Sequence, residues 1–113
     1  MSPPSRLRGL VHQYRLHLVH GEVVFMPGEG VEAVYLVERG GVVVFSPTGE
    51  RIVAALGPLR MIGLRDMLAG GLWQGIGLAQ GATVLRVFDT GAVLRMIDAA
   101  PEAHRRLLHE LAA

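Results

Sequence analysis

"GEVVFMPGEGVEAVYLVERGGVVVFSPTGERIVAALGP", residues 21–58, sets the architecture of this chain. Short β-branched or aromatic runs (EVVFM, AVYLV, GVVVF, RIVAAL) alternate with PGEG, ERGG, SPTGE and LGP, all turn compositions built on glycine and proline. SPTGE is the clearest hairpin connection, with Pro47 presetting φ and Gly49 available for positive φ. Downstream, GIGLAQ and TVLRVFD flank QGA and continue the texture to Asp89. Such spacing predicts an antiparallel roll of about eight short strands, mainly β in class.

Both flanks have a different period. Leu7, Leu10, Val11, Tyr14 and Leu18 repeat at helical spacing, which predicts a helical lead-in over 1–19. The end of that stretch also alternates as a strand does, with Leu16, Leu18 and His20 set against Arg15, His17 and Val19. Beyond the roll, over 90–113, Thr90 is placed to cap a helix carrying Val93, Leu94 and Ile97. Pro101 suits the first turn of a further helix presenting His104, Leu107, Leu108 and Leu111. The 113 residues make one domain, 1–113, with a roll over 20–89.

Composition removes several functions. With no cysteine, disulfides, thiolate metal sites and cysteine nucleophiles are excluded. Mean hydropathy is +0.38, yet glycine, arginine or proline interrupts every apolar run before membrane-spanning length. The basic N-terminus lacks the apolar core of a signal peptide, so the expected location is cytoplasmic. A net charge of +1, from eleven arginines and no lysine, supplies no field for nucleic acid or anionic lipid. Serine occurs only at Ser2, Ser5 and Ser46, without a nucleophile elbow, so no enzyme is expected.

The order of elements resembles a cyclic-nucleotide-binding domain, the β-roll of catabolite-activator-type transcription factors, cyclic-AMP-dependent kinase regulatory subunits and gated channels. Phe25 before Pro27-Gly28, Tyr35-Leu36-Val37 before Gly40-Gly41, the hairpin, then Leu56-Gly57-Pro58 carry the likeness. It continues through GATVLRVFD into the terminal helices. The resemblance implies a regulatory module whose binding chemistry lies in a glycine-rich cassette at 59–75.

Within that cassette Gly63 keeps its place. The ribose-binding carboxylate of the family pattern is replaced by Leu64, and the phosphate-binding arginine by Trp73. Gly75 stands at the small residue two further on, and Leu59-Arg60 at the preceding Gly-Asp. A phosphodiester in a partly closed pocket needs a cation, and losing one member of a buried charge pair costs on the order of 2–5 kcal/mol. Tight binding of cyclic AMP or cyclic GMP is therefore not expected.

Gly63, Leu64, Arg65, Asp66, Trp73, Gln74 and Gly75 remain the candidate ligand-binding residues, for a small anionic or nucleotide-like ligand. Arg65 or Arg60 could substitute for the missing cation or be solvated; Trp73 could stack on a ligand or fill the vacated space. Asp66 could replace the carboxylate or cap the short helix. Two other readings stand beside this one: a ligand-free interaction or dimerisation module, and a cupin-type metal protein using His20 and Glu22. The histidine pairs His12/His17 and His104/His109 are five apart, unlike the i, i+4 helical zinc spacing. No cofactor is implied. A homodimer through the C-terminal helix and contact with a partner protein are expected, while direct DNA binding and membrane insertion are not.

Overall fold

The computed structural model describes residues 13–99. Six strands and two helices follow one another: β1 (Gln13–Leu18), β2 (Val23–Phe25), β3 (Ala33–Phe45), β4 (Ile52–Leu56), β5 (Met61–Ile62), α1 (Leu64–Leu68), β6 (Ile76–Asp89) and α2 (Thr90–Ala99). All strand pairs are antiparallel, in the order β1-β6-β3-β4, with β2 added to β6 and β5 to β3. The roll is built on β6, which pairs with three other strands.

Two long strands replace four of the expected short ones. ERGG and QGA do not reverse the chain. Instead β3 and β6 run through them and stay paired from Ala33↔Asp89 to Phe45↔Ile76, with register shifts around Arg39. Gly40 takes φ +76 there, and a Cβ on it would sit 2.3 Å from the Ala82 carbonyl. The fully buried Thr83 repairs the ladder across the irregularity: its Oγ1 accepts from the Gly41 N–H (3.3 Å) and donates to the Gly41 carbonyl (3.0 Å). The glycines therefore bend a continuous ribbon.

A helical lead-in is corrected at 13–18. That segment is strand β1, in register with β6 from Gln13↔Phe88 to Leu18↔Thr83. Period-two alternation prevails because the edge of β6 needs a hydrogen-bonding partner and the core needs Leu16 and Leu18 on one face. Residues 1–12 and 100–113, including the leucine-bearing terminal helix and the dimer expected through it, lie outside the described residues.

The hairpin follows its sequence. Gly49 has φ +80, its N–H donates to the Ser46 carbonyl at 2.8 Å, and Ser46 N–H donates to the Arg51 carbonyl at 2.8 Å. At the start of α2 the cap is Asp89 rather than Thr90. The Asp89 carboxylate accepts from the Ala92 N–H (3.0 Å), while the Thr90 hydroxyl donates to the Glu32 carbonyl (3.2 Å). Of the apolar residues expected on one side of α2, Ile97 is buried but Leu94 is exposed. On the outer face Glu38 joins Arg15 of β1 (3.0 Å) to Arg86 of β6, and the Arg15 hydrogen bond leads in holding its carboxyl below the usual range.

Candidate functional site

The interior of the roll is a single apolar cluster that includes Phe25, Val37, Val42, Ile62, Trp73 and Leu85. Trp73 reaches it from an extended segment whose backbone is fastened to the Pro27-Gly28 turn. Its N–H donates to the Glu29 carbonyl and its carbonyl accepts from the Gly28 N–H, both at 2.9 Å. Two residues earlier, the Gly71 carbonyl accepts from the Val31 N–H at 2.7 Å. With the main chain held on both sides, the indole has one direction to take, inward. It is 4% exposed.

Aromatic stacking fixes the ring. The Phe25 ring lies 3.9 Å away, centroid to centroid, and tilted by 8°, while Tyr35 lies at 6.1 Å and 20°. Gly63 makes room for the indole edge: it caps α1 at φ +104, and a Cβ there would fall 2.6 Å from the Trp73 Cη2 atom. Gly75 is equally confined, since a Cβ would approach the Phe45 carbonyl to 2.5 Å. Sequence reasoning singled out Trp73 and Gly63 but not Phe25 and Tyr35 as site residues. Their signal was an aromatic residue at an inward strand position on each wall of the roll.

The remaining cassette residues lie outside that stack. Leu64 is half-buried at the first position of α1. Arg60 and Arg65 are both exposed. None of the arginines whose burial is described is buried, so among the described residues no guanidinium occupies the interior. Asp66 sits in the first turn of α1 but is not its cap, because Gly63 holds that position without any side-chain hydrogen bond. Partial burial pushes the Asp66 carboxyl above its ordinary value, against the opposing pull of the Gln74 backbone amide and Arg65. The Gln74 side chain is exposed and donates to the Leu72 carbonyl at 3.2 Å.

The metal reading finds no support in the same geometry. The His20 Nδ1 accepts from the Gly81 N–H at 2.8 Å, and a Glu22 carboxylate oxygen accepts from the Val19 N–H at 2.9 Å. Among the described residues no three His, Asp or Glu side chains converge. Nor, among them, is any helix long and apolar enough to cross a membrane.

The family model of the cyclic nucleotide-binding domain matches residues 15–100, nearly the whole described roll. The chain belongs to the cyclic nucleotide-binding domain family. Solved structures share the fold. The N-terminal domain of a transcriptional regulator from Streptomyces coelicolor A3(2) is 25% identical with a TM-score of 0.68, covering 88% of this chain and 74% of that one. The sensor domain of the transcriptional regulator DNR from Pseudomonas aeruginosa reaches a TM-score of 0.77 at 22% identity, over 88% and 69% of the two chains. The catabolite activator protein of Thermus thermophilus is 26% identical with a TM-score of 0.68, over 88% of this chain and 46% of that one. No curated protein matches by sequence.

Proposed function

We propose that this domain is a non-enzymatic regulatory module whose cyclic-nucleotide pocket is filled by its own Trp73. One observation carries the reading: the indole is buried, stacked on Phe25 and in contact with Gly63, where the family pattern would place a phosphate and its arginine. Admitting a nucleotide there requires Trp73 to leave, and emptying an aromatic core site costs about 3–5 kcal/mol. The uncompensated phosphate adds about 2–5 kcal/mol more. Together these remove several orders of magnitude in affinity.

Isothermal calorimetry with cyclic AMP and cyclic GMP tests this. The expected result is no tight binding to the wild type, and a gain of at least tenfold in the Leu64→Glu, Trp73→Arg double variant, its fold checked by circular dichroism. A sub-micromolar dissociation constant for the wild type would overturn the reading.

A second reading, an interaction module without a ligand, draws on the outer face of the sheet. There Val23 (53% exposed), Ile52 (66%) and Val53 (62%) are exposed, and Val43, Phe45, Ile76 and Leu78 lie half-buried between them in cross-strand register. In this reading the domain acts through protein contacts rather than through DNA. It is favoured if neither nucleotide binds the wild type or the double variant.

A further inference from the structure

Beside the aromatic stack lies a cleft of about 660 Å³. Its floor is Val87, 2% exposed, on the central strand β6. Its walls are two tyrosines. Tyr14 of β1 and Tyr35 of β3 are both direct cross-strand partners of Val87, so all three side chains stand on the same face. Two inter-strand spacings separate the tyrosine backbones by about 10 Å. One row further in, Leu16, Leu85 and Val37 close the core, so the cleft does not continue into the roll.

Glu32 and Asp89 are at the rim, and none of the described residues lining the cleft is basic. Asp89 is engaged as the α2 cap, whereas the Glu32 carboxylate has no hydrogen-bond or ion partner among the described residues. The Tyr35 phenol is pushed up first by burial, then by Tyr14, Glu29 and Glu32. Apolar floor, aromatic walls and an unpaired carboxylate form a combination that disfavours anions and attracts soft cations through the ring faces.

We propose that this cleft binds an alkylated ammonium group between Tyr14 and Tyr35 above Val87, with Glu32 as its counter-ion. The site goes beyond the reading of the cassette and does not depend on it, since it shares none of the seven cassette residues. It is nevertheless coupled to the interior, because Tyr35 also faces Trp73 at 6.1 Å. Trp73 is the sole tryptophan, so its fluorescence reports occupancy.

The test uses the full chain and choline chloride as probe, with 3,3-dimethylbutan-1-ol as its neutral isostere and sodium chloride at matched ionic strength. Two-dimensional amide NMR should show saturable shifts at Tyr14, Tyr35 and Val87, in the millimolar range expected of a shallow site. Each of Tyr14→Ala and Glu32→Gln should weaken binding by about two- to fivefold, as should replacing the ammonium by the neutral carbon. Tyr14 and Glu32 are exposed, and unchanged shifts elsewhere in the spectrum confirm that both variants fold. Absence of saturable shifts at the cleft, shifts equally large with the alcohol, or affinity unaltered in both variants would overturn the proposal.

Discussion

Replacing Gly63 by alanine tests whether the buried indole really occupies the cassette. Two costs add. Gly63 has φ +104, where an L-residue loses about 1–2 kcal/mol. The new methyl would then lie 2.6 Å from Cη2 and 3.3 Å from Cζ3 of Trp73. That ring cannot retreat easily, being stacked on Phe25 at 3.9 Å with its backbone held by the 28–29 turn. Overpacking of this kind costs about 1–3 kcal/mol, and the stiffer unfolded chain returns about 0.4–1. The expected net loss is about 2–4 kcal/mol. Gly28→Ala is the comparator: φ is +86, but nothing lies within 4 Å of its Cβ, so only the conformational cost applies. Urea unfolding followed by far-ultraviolet circular dichroism measures both. In a Trp73→Leu background the excess cost of Gly63→Ala should vanish. A Gly63→Ala loss no greater than that of Gly28→Ala, or an excess that persists without the indole, would refute the reasoning.

Three further outcomes follow from single side chains. Thr83→Val leaves the Gly41 N–H and carbonyl without their buried partner and should cost about 1–3 kcal/mol in the same assay. Leu59, at φ +72 and 83% exposed, is the one non-glycine residue with positive φ among those described; Leu59→Gly should leave stability unchanged or raise it by up to about 1 kcal/mol, and a clear loss in urea midpoint would contradict this. Asp66 has a carboxyl raised by burial, so the folded state holds its proton to higher pH than the unfolded state does. Relative to Asp66→Asn, the wild type should lose stability as pH rises from the ordinary value of 3.8 through the raised one, then run parallel. A urea-midpoint series across that window with the opposite slope would show the carboxyl to be stabilised in its charged form.

Much of this protein is legible in residues that are near neighbours. The hairpin at Ser46–Arg51 and the helix over Thr90–Ala99 follow from turn chemistry and period, both of which act over a few residues. The order of these elements was enough to reveal the family. Where pairing is long-range, local pattern misled. Residues 13–18 carry both helical and alternating signals, and only the free edge of β6 selects the strand. ERGG and QGA have turn composition, yet Thr83, some forty residues from Gly41, keeps the ribbon continuous through them.

The site divides in the same way. Sequence alone places Leu64 and Trp73 within the glycine-rich cassette, because identity at a position is a local fact. Whether Trp73 would line a ligand site or occupy it depends on three distant contacts: the 28–29 turn that aims its backbone, Phe25 that stacks on it, and Gly63 that leaves space for its edge. A side chain's direction is set by the packing of everything around it, and only the tertiary structure assembles those neighbours.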